Sequence, residues 1–234
     1  MRIFGISDLH LSFSSNKPMD IFGDNWKNHA QTMEKNWDSL VLDDDVVLVP
    51  GDLSWAMNLS EAKADLDWIG KRPGLKILGR GNHDYWWSGI GKVRKALPKG
   101  CVALQNDAFD VGPFVIAGSR LWSSPGALDY KQSDQKIYER EQLRLRLSLE
   151  AAKKLAPNKP ILAAVHYPPF TAKKPQTEFS KILEEYGVSI CVYGHLHGKK
   201  SHETAVVGEI RGIKYLLISC DFLNFAPVQI WPKK

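Results

Sequence analysis

Cysteine is scarce in this chain: three in 234 residues, at positions 101, 191 and 220. An odd, dispersed set without C-x-x-C spacing excludes a disulfide framework and a zinc knuckle. It reads as reduced, buried small hydrophobes in a reducing compartment. No apolar run reaches membrane-spanning length, and Met1-Arg2-Ile3-Phe4-Gly5-Ile6 enters a strand pattern without signal-peptide features. The expectation is a soluble cytoplasmic protein with no membrane partner. Long runs of one charge are also missing. Lys and Arg number 31 against 26 Asp and Glu, a net charge of +5, yet the basic residues gather no further than doublets such as Lys173-Lys174 and Lys199-Lys200. A phosphate-backbone stripe needs more, so nucleic acid is not the expected partner. Linkers, internal repeats and low-complexity stretches are absent, and one domain over residues 1–234 is expected.

What is present is ordinary globular material, 44% hydrophobic and 24% charged. A chain of this length buries about 70–75% of its unfolded surface and needs no covalent staples. Strand-length apolar runs recur at Arg2–Ser7, Val46–Val49, Leu75–Leu78, Val102–Leu104, Phe114–Ala117, Ile161–Val165, Ser189–Tyr193 and Tyr215–Ser219. Several are continuous rather than alternating, as in strands covered on both faces. Helical spacing lies between them. Trp26, Ala30, Met33, Trp37 and Leu40 fall at steps of four and three. Ala62, Leu66 and Ile69 follow Ser60, a candidate N-cap, and Ile182, Leu183 and Tyr186 precede Gly187. Leu143, Leu145, Leu147 and Leu149 alternate like a strand. The segment 134–155 is nevertheless read as helix, being dense in Glu, Arg, Gln, Lys and Ala and free of Gly and Pro. Strand–helix alternation predicts parallel pairing. The closing runs Val206–Ile210, Tyr215–Ser219 and Val228–Trp231 read as antiparallel. The fold class is α/β, a layered α-β-β-α sandwich with its site at the carboxyl ends of central strands.

Short polar signatures follow most of the strand runs in a fixed order: Asp8-Leu9-His10, Gly51-Asp52, Gly81-Asn82-His83-Asp84, His166, and Gly194-His195-Leu196-His197. Residues just past the carboxyl ends of parallel strands converge on one crevice. Glycine at 51, 81 and 194 lets the chain turn there. Two carboxylates, one amide and four imidazoles suit borderline divalent ions, manganese first, with iron(II), zinc or nickel as alternatives. In extended chain, Asp-x-His and His-x-His point both donors the same way. Asp52 has two oxygens and can bridge. Two ions about 3.5–4 Å apart clamp a phosphoryl group and deprotonate a bridging water. His29 and His202 are read as structural.

This ordered set resembles the calcineurin-like metallophosphoesterase superfamily, in its small bacterial branch, from Asp8 to His197. The resemblance implies that Asp8, His10, Asp52 and His197 hold one metal and that Asp52, Asn82, His166 and His195 hold the other. His83 would bind phosphate and protonate the leaving oxygen. The implied activity is hydrolysis of a phosphomonoester or phosphodiester in a small, phosphorylated substrate, nucleotides included. Protein phosphatases of this kind carry Asp and Arg shortly after the Gly-Asp, where this chain has Trp55 and Ala56. That argues against a phosphoprotein substrate and leaves open what orients His83. Lipid-precursor pyrophosphatases have Arg in place of His83, which argues against that activity. A silent scaffold of the same fold would have lost ligands, and a nuclease would want a basic groove. Arg80 and Arg120 are candidate phosphate contacts, and Trp86, in Tyr85-Trp86-Trp87, is a candidate stacking face. Leu121–Ser133 and Tyr167-Pro168-Pro169-Phe170 are the expected specificity surface.

Overall fold

A computed structural model describes residues 1–15, 17–172 and 176–232. The Lys173-Lys174 doublet lies outside the described residues. In chain order the elements are β1 (Ile3–Gly5), α1 (His29–Leu40), β2 (Val46–Val49), α2 (Leu59–Lys71), β3 (Leu75–Leu78), α3 (Ile90–Ala96) and β4 (Cys101–Ala103). They continue with β5 (Phe109–Asp110), β6 (Val115–Ala117), α4 (Gln135–Leu155), β7 (Ile161–Val165), α5 (Glu178–Glu185), β8 (Val188–Tyr193) and α6 (Gly198–Glu203). The last are β9 (Gly208–Ile210), β10 (Ile213–Leu217) and β11 (Val228–Trp231). They fall into two compact units. One comprises Met1–Ala103 with Ile218–Lys234, and the other is Leu104–Leu217. Among the described residues, no helix is long and apolar enough to cross a membrane.

The first unit holds a five-stranded sheet in the order β11-β1-β2-β3-β4. Its members from β1 to β4 run parallel, and β11 joins β1 antiparallel. All four residues of β2 are buried, as a continuous apolar run requires when both faces are covered. Met33 and Trp37 of α1, and Ala62, Leu66 and Ile69 of α2, enter the core with Val47 and Val49. Two expectations shift. Trp26 is buried, but it belongs to a short 3₁₀ turn and not to α1, because Asn28 takes a left-handed φ of 54° between them. The N-cap of α2 is Asn58, not Ser60. The Asn58 side chain accepts from Glu61 N at 3.0 Å, and the Glu61 carboxylate accepts from Met57 N at 2.9 Å and Asn58 Nδ2 at 2.6 Å. A helix start is set by the residue whose side chain can reach the third amide onward.

The second unit holds a six-stranded sheet in the order β5-β6-β7-β8-β10-β9. Strands β6, β7, β8 and β10 are parallel; β5 and β9 flank them antiparallel. The closing strands therefore do not form one antiparallel group. β9 and β10 pair antiparallel, but β10 also runs parallel to β8, while β11 pairs with β1 in the other sheet. The ambiguous leucine run is helical. Leu145 and Leu149, four apart, are fully buried, whereas Leu143 and Leu147 are 64% and 50% exposed. An i, i+4 pair shares a helix face that an alternating set would not. Two parallel-rich sheets flanked by helices are the α/β layers that the pattern implies.

Asn58→Ala is expected to cost about 1 kcal/mol of stability, and Ser60→Ala within about 0.5 kcal/mol of nothing, measured by urea denaturation.

Candidate metal centre

The parallel neighbours β1, β2 and β3 deliver three loops side by side at their carboxyl ends. These carry Asp8 and His10, then Asp52, then Asn82 and His83. The first two loops are tied through the backbone. Asp8 N donates to Gly51 O at 3.0 Å, His10 N to Asp52 O at 3.0 Å, Leu11 N to Leu53 O at 3.0 Å, and Trp55 N to Leu11 O at 2.9 Å. Asp8 (φ 61°), His10 (φ 46°) and Asp52 (φ 52°) all sit in the left-handed region. Asp8-Leu9-His10 is thus not the extended segment expected; left-handed turns aim the side chains instead. Non-glycine residues in that region carry backbone strain that the surrounding structure must hold, and Asp and His tolerate it better than most. Gly51 takes a φ of 143°. Gly81 serves differently: a Cβ there would fall 2.0 Å from Asp52 Oδ1 and 2.3 Å from Asp52 N. Its glycine is a matter of close approach, not of turning.

The donors gathered here are buried: Asp8 at 0%, Asp52 at 1% and His10 at 3% exposure. His10 Nε2 lies 3.8 Å from Asp52 Oδ2. A carboxylate oxygen of Asp8 lies within 4.8 Å of a His10 nitrogen, and one lies within 4.8 Å of an Asp52 oxygen. The other Asp52 oxygen, Oδ1, accepts from the His83 backbone N–H at 2.8 Å. Asn82 stands half-buried in the same turn.

Asp84 explains how these loops hold. Its fully buried carboxylate accepts five N–H bonds. Oδ2 takes Gly81 N at 2.7 Å and Asp52 N at 2.9 Å. Oδ1 takes Leu53 N at 2.9 Å, Ser54 N at 3.2 Å and the Trp86 indole at 3.0 Å. Burial pushes this carboxyl upward in pKa, and the amides of Gly81, Ser54 and Leu53 and the Trp86 indole pull against that shift. Asp84 therefore fastens the Asp52 loop to the Asn82 turn and turns away from the His83 imidazole. Trp86, expected as a stacking face, is 1% exposed and spends its N–H on Asp84. It packs the loop and presents no face; Tyr85 beside it is 52% exposed. The His83 ring lies 4.3 Å from Trp55, which also stacks on His10 at 5.1 Å. The residue type at 55 gave no hint of this contact.

In the second unit, His166 follows β7, and His195 and His197 follow its parallel neighbour β8. Gly194 N donates to His166 O at 3.1 Å, and the His166 and His195 rings stand 5.2 Å apart. His195 is left-handed too, at φ 71°. Tyr167 packs 4.0 Å from its ring. A cavity of about 330 Å³ opens beside them. Its lining includes Ser123, Leu128, Asp129, Tyr167, Phe170 and His195, so the expected specificity segments meet a candidate ligand there. Arg120 reaches the buried Glu141 at 3.4 Å, alongside Arg140 and Arg144, and its guanidinium lies 4.4 Å over Trp122. Arg80 is half-buried between Gly79 and Gly81. His29 packs edge-on against Trp26, and burial lowers its pKa.

The family model described as calcineurin-like phosphoesterase matches residues 1–199. Gene 66 protein of Mycobacterium phage L5 is 40% identical over 78 residues, 33% of this chain; the match spans 37% of that relative's length. Phosphopantetheinyl hydrolase from Mycobacterium tuberculosis aligns over 99% of this chain and 96% of its own at a TM-score of 0.59 and 17% identity. A protein of unknown function from Aquifex aeolicus aligns over 97% of this chain and 95% of its own, with a TM-score of 0.52 and 15% identity. At these identities the two structures speak for the fold alone.

Asp84→Asn is close to isosteric but turns an NH₂ group toward two or three of the five N–H donors, whichever way the amide lies. An unsatisfied buried donor costs about 1–3 kcal/mol. The variant is expected to lose at least about 2 kcal/mol of stability, and to bind manganese more weakly, by denaturation and equilibrium dialysis. Unchanged stability and metal uptake would refute the fastening role.

Proposed function

The chain belongs to the calcineurin-like phosphoesterase family; from that premise we propose a metal-dependent phosphohydrolase with a dinuclear centre acting on a small phosphorylated substrate. Asp8, His10, Asp52 and His197 would hold one ion. Asp52, Asn82, His166 and His195 would hold the other, with Asp52 shared. The observation that carries this reading is the disposition of Asp52. Its two oxygens face different partners, with Oδ2 toward His10 and Oδ1 toward the His83 amide, in a buried cluster with Asp8. The donor set fits the group: two carboxylates, one amide and four imidazoles suit a borderline dication, manganese first and iron(II), zinc or nickel after it. When bound, a pair of such ions would polarise the phosphoryl group and supply the nucleophile.

The chain's own residues do the rest. Asp8 and Asp52 bring negative charge that two dications would more than offset, which makes the site attractive to phosphate. His83 would contact the phosphoryl oxygens and give a proton to the leaving oxygen as its bond to phosphorus breaks. Asp84 takes no part in that transfer, since its oxygens are committed. The cavity beside His195 would take the organic part of the substrate, lined by Tyr167, Phe170 and the Ser123–Asp129 segment. The family match runs through both compact units, which supports one catalytic domain. The free thiols at 101, 191 and 220 suit a reducing, cytoplasmic setting, and a small substrate in place of a polynucleotide suits the scattered basic residues.

The deciding assay strips the protein with a chelator, restores manganese, and measures turnover of aryl monoesters, aryl diesters, cyclic nucleotides and dinucleotides. No hydrolysis of any member would refute the proposal. His83→Ala is expected to keep its metal and lose about 10²–10⁴-fold in kcat. Asp52→Asn is expected to lose manganese and activity together; elemental analysis separates the two cases.

A further inference from the structure

A general acid works only when its ring is kept within hydrogen-bond reach of the oxygen that leaves. In this chain the carboxylate next to His83 points elsewhere, into five N–H donors. The bond from His83 N to Asp52 Oδ1 fixes the main chain but not the side-chain torsions. The nearest ring to the imidazole is the Trp55 indole, with centroids 4.3 Å apart and planes at 48°; the His10 and Tyr85 rings stand edge-on to it at 5.6 and 6.2 Å. The same indole stacks on His10 at 5.1 Å and 23°.

Trp55 is itself well held. Its backbone N–H donates to Leu11 O at 2.9 Å, and its Nε1 donates to Met19 Sδ at 3.2 Å. The preceding residue, Ser54, donates its hydroxyl to Asp65, a buried carboxylate that also accepts from Phe13 N at 2.9 Å. These ties come from the loop after β1, from the Met19 turn and from α2. The indole is thus a fixed wall and not a mobile side chain.

We infer that Trp55 is a positioning residue for His83, confining the imidazole by packing. The inference rests on the reading of His83 as general acid. An indole has an N–H donor and no acceptor, and here that donor is spent on Met19. The wall therefore sets where the ring stands without choosing which nitrogen carries the proton. Packing depends on shape, so a phenyl ring replaces it in part and a methyl group does not.

The test uses the manganese-loaded full chain with a series of aryl phosphates from 2,4-dinitrophenyl to phenyl. An activated leaving group departs without a proton; phenoxide needs one. Trp55→Ala is expected to lose at least about tenfold in kcat on the phenyl ester and less than about threefold on the dinitrophenyl ester, with KM and bound manganese unchanged. Trp55→Phe recovers most of that loss. Trp55→Ala in a His83→Ala background costs nothing further on the phenyl ester, because the two residues act through one step. Equal losses on both esters, a further loss in the double variant, or loss of manganese from Trp55→Ala with normal Trp55→Phe would overturn the inference. If His83→Ala shows no dependence on the leaving group, the general-acid reading falls and takes this inference with it. If His83→Ala shows that dependence and Trp55→Ala does not, the Trp55 inference falls alone.

Discussion

Five N–H groups converge on the Asp84 carboxylate, and the geometry of the centre depends on that convergence. Two of the donors, Gly81 N and Asp52 N, belong to different strand ends. The carboxylate thus welds the loop after β2 to the turn after β3 from beneath. Hydrogen bonds to an ionised acceptor are worth about 1.5–3 kcal/mol each, enough to hold several residues in a strained backbone against thermal averaging. The close approach of Gly81 to Asp52 follows from the same weld: no Cβ fits between two loops that share one carboxylate.

Stacking contributes at the next layer out. Trp55 sits against both His10 and His83, so one apolar ring serves an imidazole expected to bind metal and one expected to move a proton.

Much of this was legible in the sequence. The polar residues just past apolar runs could be named because parallel strands in adjacent positions bring their carboxyl ends together, and β1, β2 and β3 do so, as do β7 and β8. Helix α4 was legible through composition even though its leucines alternate. What could not be read was the direction of side chains in turns. Asp8 and His10 were expected on an extended segment and lie on left-handed turns. Trp86 could be read as a platform or as loop packing and is a core residue, because its indole N–H finds a buried acceptor two residues back. Trp55 is sixth along a loop whose path only the tertiary bonds decide, and the destination of β11 depends on pairing across nearly the whole chain.

The left-handed backbone at Asp8, His10, Asp52 and His195 bears on how such a protein ages under mutation. Gly at these positions accepts the backbone and discards the donor, and Asn accepts it while keeping only a neutral amide oxygen; Val, Ile or Thr loses the donor and also fights the turn. Neutral drift should therefore leave behind well-folded, metal-poor descendants carrying Asn and Gly at these positions. Tolerance of the scaffold and loss of its chemistry are uncoupled at the same four backbone angles.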